Sequence, residues 1–194
     1  MKKLSVLVMI SVLLMGCSKE PVNIDTLVSR NDIYYSINSD VPYSGRVFST
    51  YINGQNEFVG TLKNGHEEGL LTHWYENGQK QTEEYYKQGV LNGSFVLWYE
   101  NGQKKIEGEY LDGEYDGLLK FWYESGNKES ERLVNSKDTS VVINGWWENG
   151  NISTVGQFKN EEKDGVWIYR NRMGKITSEK RYKNGELINT KNYQ

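Results

Sequence analysis

The only thiol in the chain, Cys17, follows Gly16 directly at the end of an almost wholly apolar run. With no second cysteine it cannot form an internal disulfide, and at that position it is a candidate for lipidation. His66 and His73 are the only histidines, and neither recurs in the repeats described below. No carboxylate pair lies beside both, so they read as surface or turn residues and no metal site is expected. Glu83, Glu107 and Glu131 recur beside lysines as a solvated row, not as an acid/base pair. No Gly-rich loop precedes a helix, and no Ser, Cys or Thr has a triad setting. The chain therefore reads as non-enzymatic, with no cofactor. The remaining candidates are the indoles of Trp74, Trp98, Trp122 and Trp146. Evenly spaced rings suit a ladder for a peptide, a glycan or a lipid headgroup, and they equally suit packing against Lys and Glu stems.

These residues must be positioned by a short fold. At 194 residues the chain holds one domain or a short repeat array. Gly is frequent (20), Pro nearly absent (2), and aromatics reach 13%, which favours a turn-rich β protein. The net charge of −3, without long runs of one sign, gives no electrostatic reason to bind nucleic acid. Lys2 and Lys3 precede the apolar stretch Leu4 to Gly16, which is shorter than the ~20 residues needed to span a bilayer but suits a signal-peptide core. Leu14-Met15-Gly16-Cys17 resembles the lipobox of bacterial lipoproteins, with Met15 where a small residue is usual. That resemblance implies a signal peptide over 1–16, a lipid on Cys17, and a polar linker over 17–30. It also implies a lipid-anchored place in the bacterial cell envelope, on the outer membrane where the cell has one.

The glycines set the architecture. Gly54, Gly78, Gly102, Gly126, Gly150 and Gly174 are spaced by 24 residues, and Gly45, Gly69, Gly93, Gly117 and Gly165 keep the same period. Tyr51, Tyr75, Tyr99, Tyr123 and Trp147 run in phase, beside the Trp row. Asn53-Gly54, Asn77-Gly78, Asn101-Gly102 and Asn149-Gly150 predict two-residue type I′ turns, and a second tight turn recurs near Gly65, Gly89, Gly113 and Gly185. Two strands of about ten residues and two such turns fill the period. The expected fold is all-β: an elongated single-layer antiparallel β-meander of tandem 24-residue β-hairpin repeats over 46–190, with a capping hairpin over 31–45. Counting back from the turn at 77–78 pairs Tyr75 with Lys80 and Gly69 with Tyr86. The same count puts Gly93 opposite Tyr110 and Gly45 opposite Leu62, each bare backbone under a larger side chain. Leu71, Phe95, Leu97, Leu119 and Phe121 then share an apolar face, and the Trp row takes the other.

Trp74-Tyr75-Glu76-Asn77-Gly78-Gln79-Lys80, and Glu107-Gly108-Glu109-Tyr110 followed by Gly113 and Gly117, resemble the MORN-repeat variant family, which includes the YwqK-type antitoxin proteins. Leu27-Val28-Ser29-Arg30, Tyr34-Tyr35 and Pro42-Tyr43-Ser44-Gly45 look like the opening of exported members. The resemblance covers about residues 27–190. It implies an elongated β scaffold that binds protein or membrane partners, or an immunity protein that neutralises a toxin. The chain departs from the pattern twice: the fourth copy lacks its turn glycine over 133–139 and has Val141 in the glycine column, and the sixth has Arg170-Asn171 for the aromatic pair.

Overall fold

The computed structural model describes residues 20–135 and 140–194. The expected signal peptide and Cys17 lie outside the described residues. The first part holds β1 (Val22–Asn23), a 3-10 turn (Ile24–Thr26), β2 (Leu27–Arg30), β3 (Ile33–Ser36) and β4 (Gly45–Thr50). Then come β5 (Asn56–Lys63), β6 (His66–Glu67), β7 (Gly69–Trp74), β8 (Lys80–Lys87), β9 (Val90–Trp98), β10 (Lys104–Leu111) and β11 (Glu114–Trp122). The array continues through β12 (Lys128–Asn135), β13 (Ser140–Trp146), β14 (Ile152–Lys159), β15 (Glu162–Arg170), β16 (Ile176–Lys183) and β17 (Glu186–Asn192). From β4 to β17 successive strands pair antiparallel in one sheet, with the short β6 beside β5. The fold is the expected β-meander.

The two long edges of the sheet use different turns. Asn64-Gly65, Gln88-Gly89, Asp112-Gly113, Asn160-Glu161 and Asn184-Gly185 have positive φ at both central residues, which is the type I′ geometry. The Asn-Gly pairs at the opposite edge do not. There only the glycine is left-handed, at +84° for Gly78. The Gly78 amide donates to the Tyr75 carbonyl at 2.9 Å, and the Tyr75 amide to the Gln79 carbonyl at 2.8 Å. This is a three-residue loop, a type I turn closed by a glycine bulge. The extra residue slips the register, so Trp74 pairs with Lys80, and the expected Tyr75–Lys80 pair does not form.

The glycine column pairs as counted: Gly45 with Leu62, Gly69 with Tyr86, and Gly93 with Tyr110. Its purpose differs from the expected cover by larger side chains. A Cβ at Gly69 or Gly117 would meet nothing within 4 Å, and one at Gly93 would meet Tyr85, not Tyr110. The glycines are there for their backbone. Gly93 and Gly117 have φ of +126° and +74°, and each sits in a bulge. Across β8 and β9, for example, Glu84 faces Phe95 while Tyr86 faces Leu91. Close cover belongs to another column, where Leu71 crosses Gly60, Leu119 crosses Gly108 and Trp167 crosses Gly156.

Alternation puts Val47, Leu71, Phe95, Leu119 and Trp167 on one face, and all five are buried. The tightest cluster, Val47, Phe58, Leu62 and Leu71, is covered by Ile24, Leu27, Tyr34, Tyr43 and Tyr86. The cap therefore begins earlier than expected. Val22–Asn23 pairs parallel with β4, and the separate hairpin is Leu27–Arg30 with Ile33–Ser36, across the expected boundary at 30/31. Residues 22–30 carry Val22, Ile24 and Leu27, which have an apolar sheet end to cover, so they are ordered structure where a polar linker was expected. The Tyr34 amide fixes the hairpin to the array through the Gly65 carbonyl at 3.0 Å.

Candidate functional site

Trp74, Trp98 and Trp122 close their strands on the face opposite Leu71, Phe95 and Leu119, and Trp146 continues the row; all four are half-buried. The Lys80 ammonium lies 5.6 Å from the ring centre of Trp98, Lys104 lies 5.8 Å from Trp122, and Lys128 lies 5.0 Å from Trp146. The same lysines bind Glu83, Glu107 and Glu131 respectively. The solvated Glu row read from the sequence is thus a set of partly buried ion pairs bracing the lysines over the indoles. Trp74 differs. Its column position for the covering lysine is Asn56, and the ring borders a hollow shared with Gly54, Gln55 and Gly78.

Glu107 is the best-held carboxylate on this face, accepting from Lys104 at 2.6 Å and from Lys120 at 2.8 Å. Burial pushes its pKa up, but the two ammonium hydrogen bonds outweigh it and hold the carboxyl below its ordinary value. The hydrogen bond to Glu107 in turn raises Lys120. Glu107 and Lys120 therefore both keep their charges at neutral pH.

A second ladder, not anticipated from the sequence, ties the row together. Each tyrosine of the column donates its hydroxyl to the carbonyl of the next Trp: Tyr51 to Trp74 at 2.7 Å, Tyr75 to Trp98 at 2.8 Å, Tyr99 to Trp122 at 2.8 Å, and Tyr123 to Trp146 at 2.9 Å. Trp147 takes over with its indole N–H, which donates to the Arg170 carbonyl at 3.0 Å. One loop outward, Asn53, Asn77 and Asn101 donate to the carbonyls of Glu76, Glu100 and Glu124. The signal was present as a Tyr column beside the Trp column, but the link depends on loop stacking that pairing counts cannot show. At the sixth copy Asn171 turns its side chain back to accept from Met173 and Lys175 within its own loop.

The histidines separate. His73 lies within β7 with its ring tilted against Phe58, centroids 4.9 Å apart, so it is a packed strand residue and not a surface or turn one; burial lowers its pKa. His66 adjoins the turn at Gly89. Among the described residues no three His, Cys, Asp or Glu side chains are grouped as metal ligands would be. No described helix is long and apolar enough to cross a membrane.

No curated protein matches the chain. Residues 67–88, 91–112 and 115–135 each match the MORN repeat variant. Each match starts just beyond a type I′ turn, and the last ends where β12 ends. The centre of this β array is built of three tandem MORN-variant repeats.

Proposed function

We propose that the protein is a non-enzymatic scaffold that binds a protein partner along its Trp face, held at the bacterial cell envelope by a lipid on Cys17. The carrying observation is the row of four half-buried indoles at one spacing along the sheet, three of them covered by lysines that pair with carboxylates. Partly exposed aromatic rings set among fixed charges combine the area of an interface anchor with the polar rim that gives register. MORN repeats commonly act as protein- or membrane-binding scaffolds, which agrees with this reading. An immunity role would be a special case of it, with a toxin as the partner.

The test is positional crosslinking in the intact envelope. A photo-reactive residue at Ser94, on the Trp face, should capture a discrete partner, and one at Glu84, on the apolar face, should not. The double substitution Trp98→Ser and Trp122→Ser should abolish the Ser94 adduct while the circular dichroism stays unchanged. Equal capture from both faces would defeat the assignment of the face. For the anchor, a palmitate analogue should label the wild type and leave Cys17→Ala unlabelled.

A further inference from the structure

Among the described residues the apolar face opens at the irregular fourth hairpin. In the preceding repeat that face is filled by rings: Phe95 and Tyr110 lie 4.6 Å apart, and Tyr110 stacks on Tyr115 at 4.6 Å. In the following one Phe158 meets Trp167 edge-on at 5.0 Å. Between them the column that carries Tyr86, Tyr110, Phe158 and Tyr182 has Val134, paired with Val141. One small side chain, Val134, stands where the other repeats carry a ring, and it faces Val141 in the glycine column. The result is a groove of about 860 Å3, lined by Leu119, Val134, Val141 and Ile143 together with Tyr115 and Phe158. That volume falls within the range of small-molecule sites, roughly 300–1,000 Å3.

One cation stands in this apolar setting. Arg132 occupies the column position where Gly108 and Gly156 lie under apolar side chains, and its guanidinium covers the Phe121 ring at 4.2 Å. A guanidinium stacked by one face keeps its N–H fork free in the ring plane, which fits a carboxylate bidentately. Among the described residues no carboxylate forms an ion pair with it. Glu114 and Glu161 stand at the groove's turn-side rim, where they repel a second anionic group.

We propose that this groove binds a small amphipathic monocarboxylate, its hydrocarbon or aromatic body over Val134 and Val141 and its carboxylate on Arg132. The site is on the face opposite the Trp row and does not depend on the partner bound there. Calorimetric titration of the full chain at pH 8, below micelle concentrations, tests it with laurate, dodecanol and dodecyltrimethylammonium as probes. Laurate should bind one per chain, at least about tenfold tighter than dodecanol, with the cation weakest. Val134→Tyr restores the ring of the neighbouring repeats and should abolish laurate binding without lowering the melting temperature. Arg132→Gln should bring laurate down to the affinity of dodecanol. The Trp98→Ser, Trp122→Ser double variant should bind laurate like wild type, which separates this site from the Trp face. Should Val134→Tyr fail to fold, Arg132→Gln decides alone. Absence of saturable laurate binding, a preference for laurate that survives Arg132→Gln, or a folded Val134→Tyr that binds like wild type overturns the proposal.

Discussion

The hairpins β10–β11 and β12–β13 occupy the same length of chain and solve the same closure in two ways. In the first, a two-residue type I′ turn at Asp112-Gly113 is followed by a bulge, with Glu107 facing Lys120 and Glu109 facing Asp116. In the second, pairing runs unbroken from Asn135–Ser140 to Ser130–Gly145, and the connection between the paired ends is residues 136–139. The bulge of the first hairpin is absent from the described pairs of the second. The loss of the turn glycine and the appearance of Val141 are therefore one change. Without a bulge, no left-handed residue is needed at 141. The period is preserved because the next Trp must still reach its lysine and its tyrosine, and the local route between them is free to vary.

The largest test of this contrast is a pair of substitutions. Gly117→Val forces a β-branched side chain onto φ of +74° and should cost about 2–3 kcal/mol of unfolding free energy. Val141→Ala, at the matching position of the unbulged hairpin, should cost about 1 kcal/mol from lost packing. Urea denaturation measures both. Equal losses, or the reverse order, would show that the two hairpins do not differ as described.

The edges give a second, smaller contrast, and they mark the limits of what could be read from the residues. The period, the two strands within it and the faces of Leu71 and Trp74 followed from spacing alone, because alternation carries a side chain's face over many residues. The turn types did not. Asn77-Gly78 and Asn64-Gly65 are identical as dipeptides, yet Asn64 has φ of +52° while Asn77 stays outside the left-handed region. What differs is the neighbourhood. Asn77 accepts from the Gln79 amide at 2.9 Å within its own loop, and it donates to the Glu100 carbonyl at 2.9 Å, a contact that needs the next loop stacked beside it. The Trp row was placed correctly by parity, but its lysine covers and the Tyr hydroxyl ladder span successive repeats and are invisible to a count within one. The groove was invisible for the same reason, since it is made by what Val134 omits.

Two substitutions should move in opposite directions if the edges differ in this way. Gln88→Asn puts a residue tolerant of the left-handed region at φ of +52° in a type I′ turn, and should stabilise by about 0.5 kcal/mol. Asn77→Gln loses both fixed contacts in the three-residue loop and should destabilise by about 1 kcal/mol. Tyr99→Phe, which removes the hydroxyl from the Trp122 carbonyl, should also cost about 1 kcal/mol. Thermal melts of the three variants sharpen the comparison; a destabilised Gln88→Asn would mean the two edges share one turn geometry.

The smallest effect concerns the charges that brace the indoles, and it turns on pH. Glu107 is held below its ordinary pKa despite burial, because Lys104 and Lys120 donate to its carboxylate. A depressed carboxyl stabilises the fold above its unfolded pKa, and that contribution fades as pH falls through the folded value. Wild type should therefore exceed Glu107→Gln in stability at neutral pH, and the gap should close in acid, below the ordinary carboxylate range. Its size should be modest, about 0.5–1 kcal/mol, since the lysine ends remain in contact with solvent. Raising the salt concentration should shrink it further, which a packing effect would not show. Glu131 accepts from Lys128 at 2.6 Å, so Glu131→Gln, which removes that one ion pair, should give a smaller gap at neutral pH. Denaturation of both variants across the acid range at two salt concentrations measures this. A gap for Glu107→Gln that stays constant from neutral pH into strong acid would show that the side chain acts by its shape, and that the lysines over Trp98, Trp122 and Trp146 are held by something other than the carboxylate row.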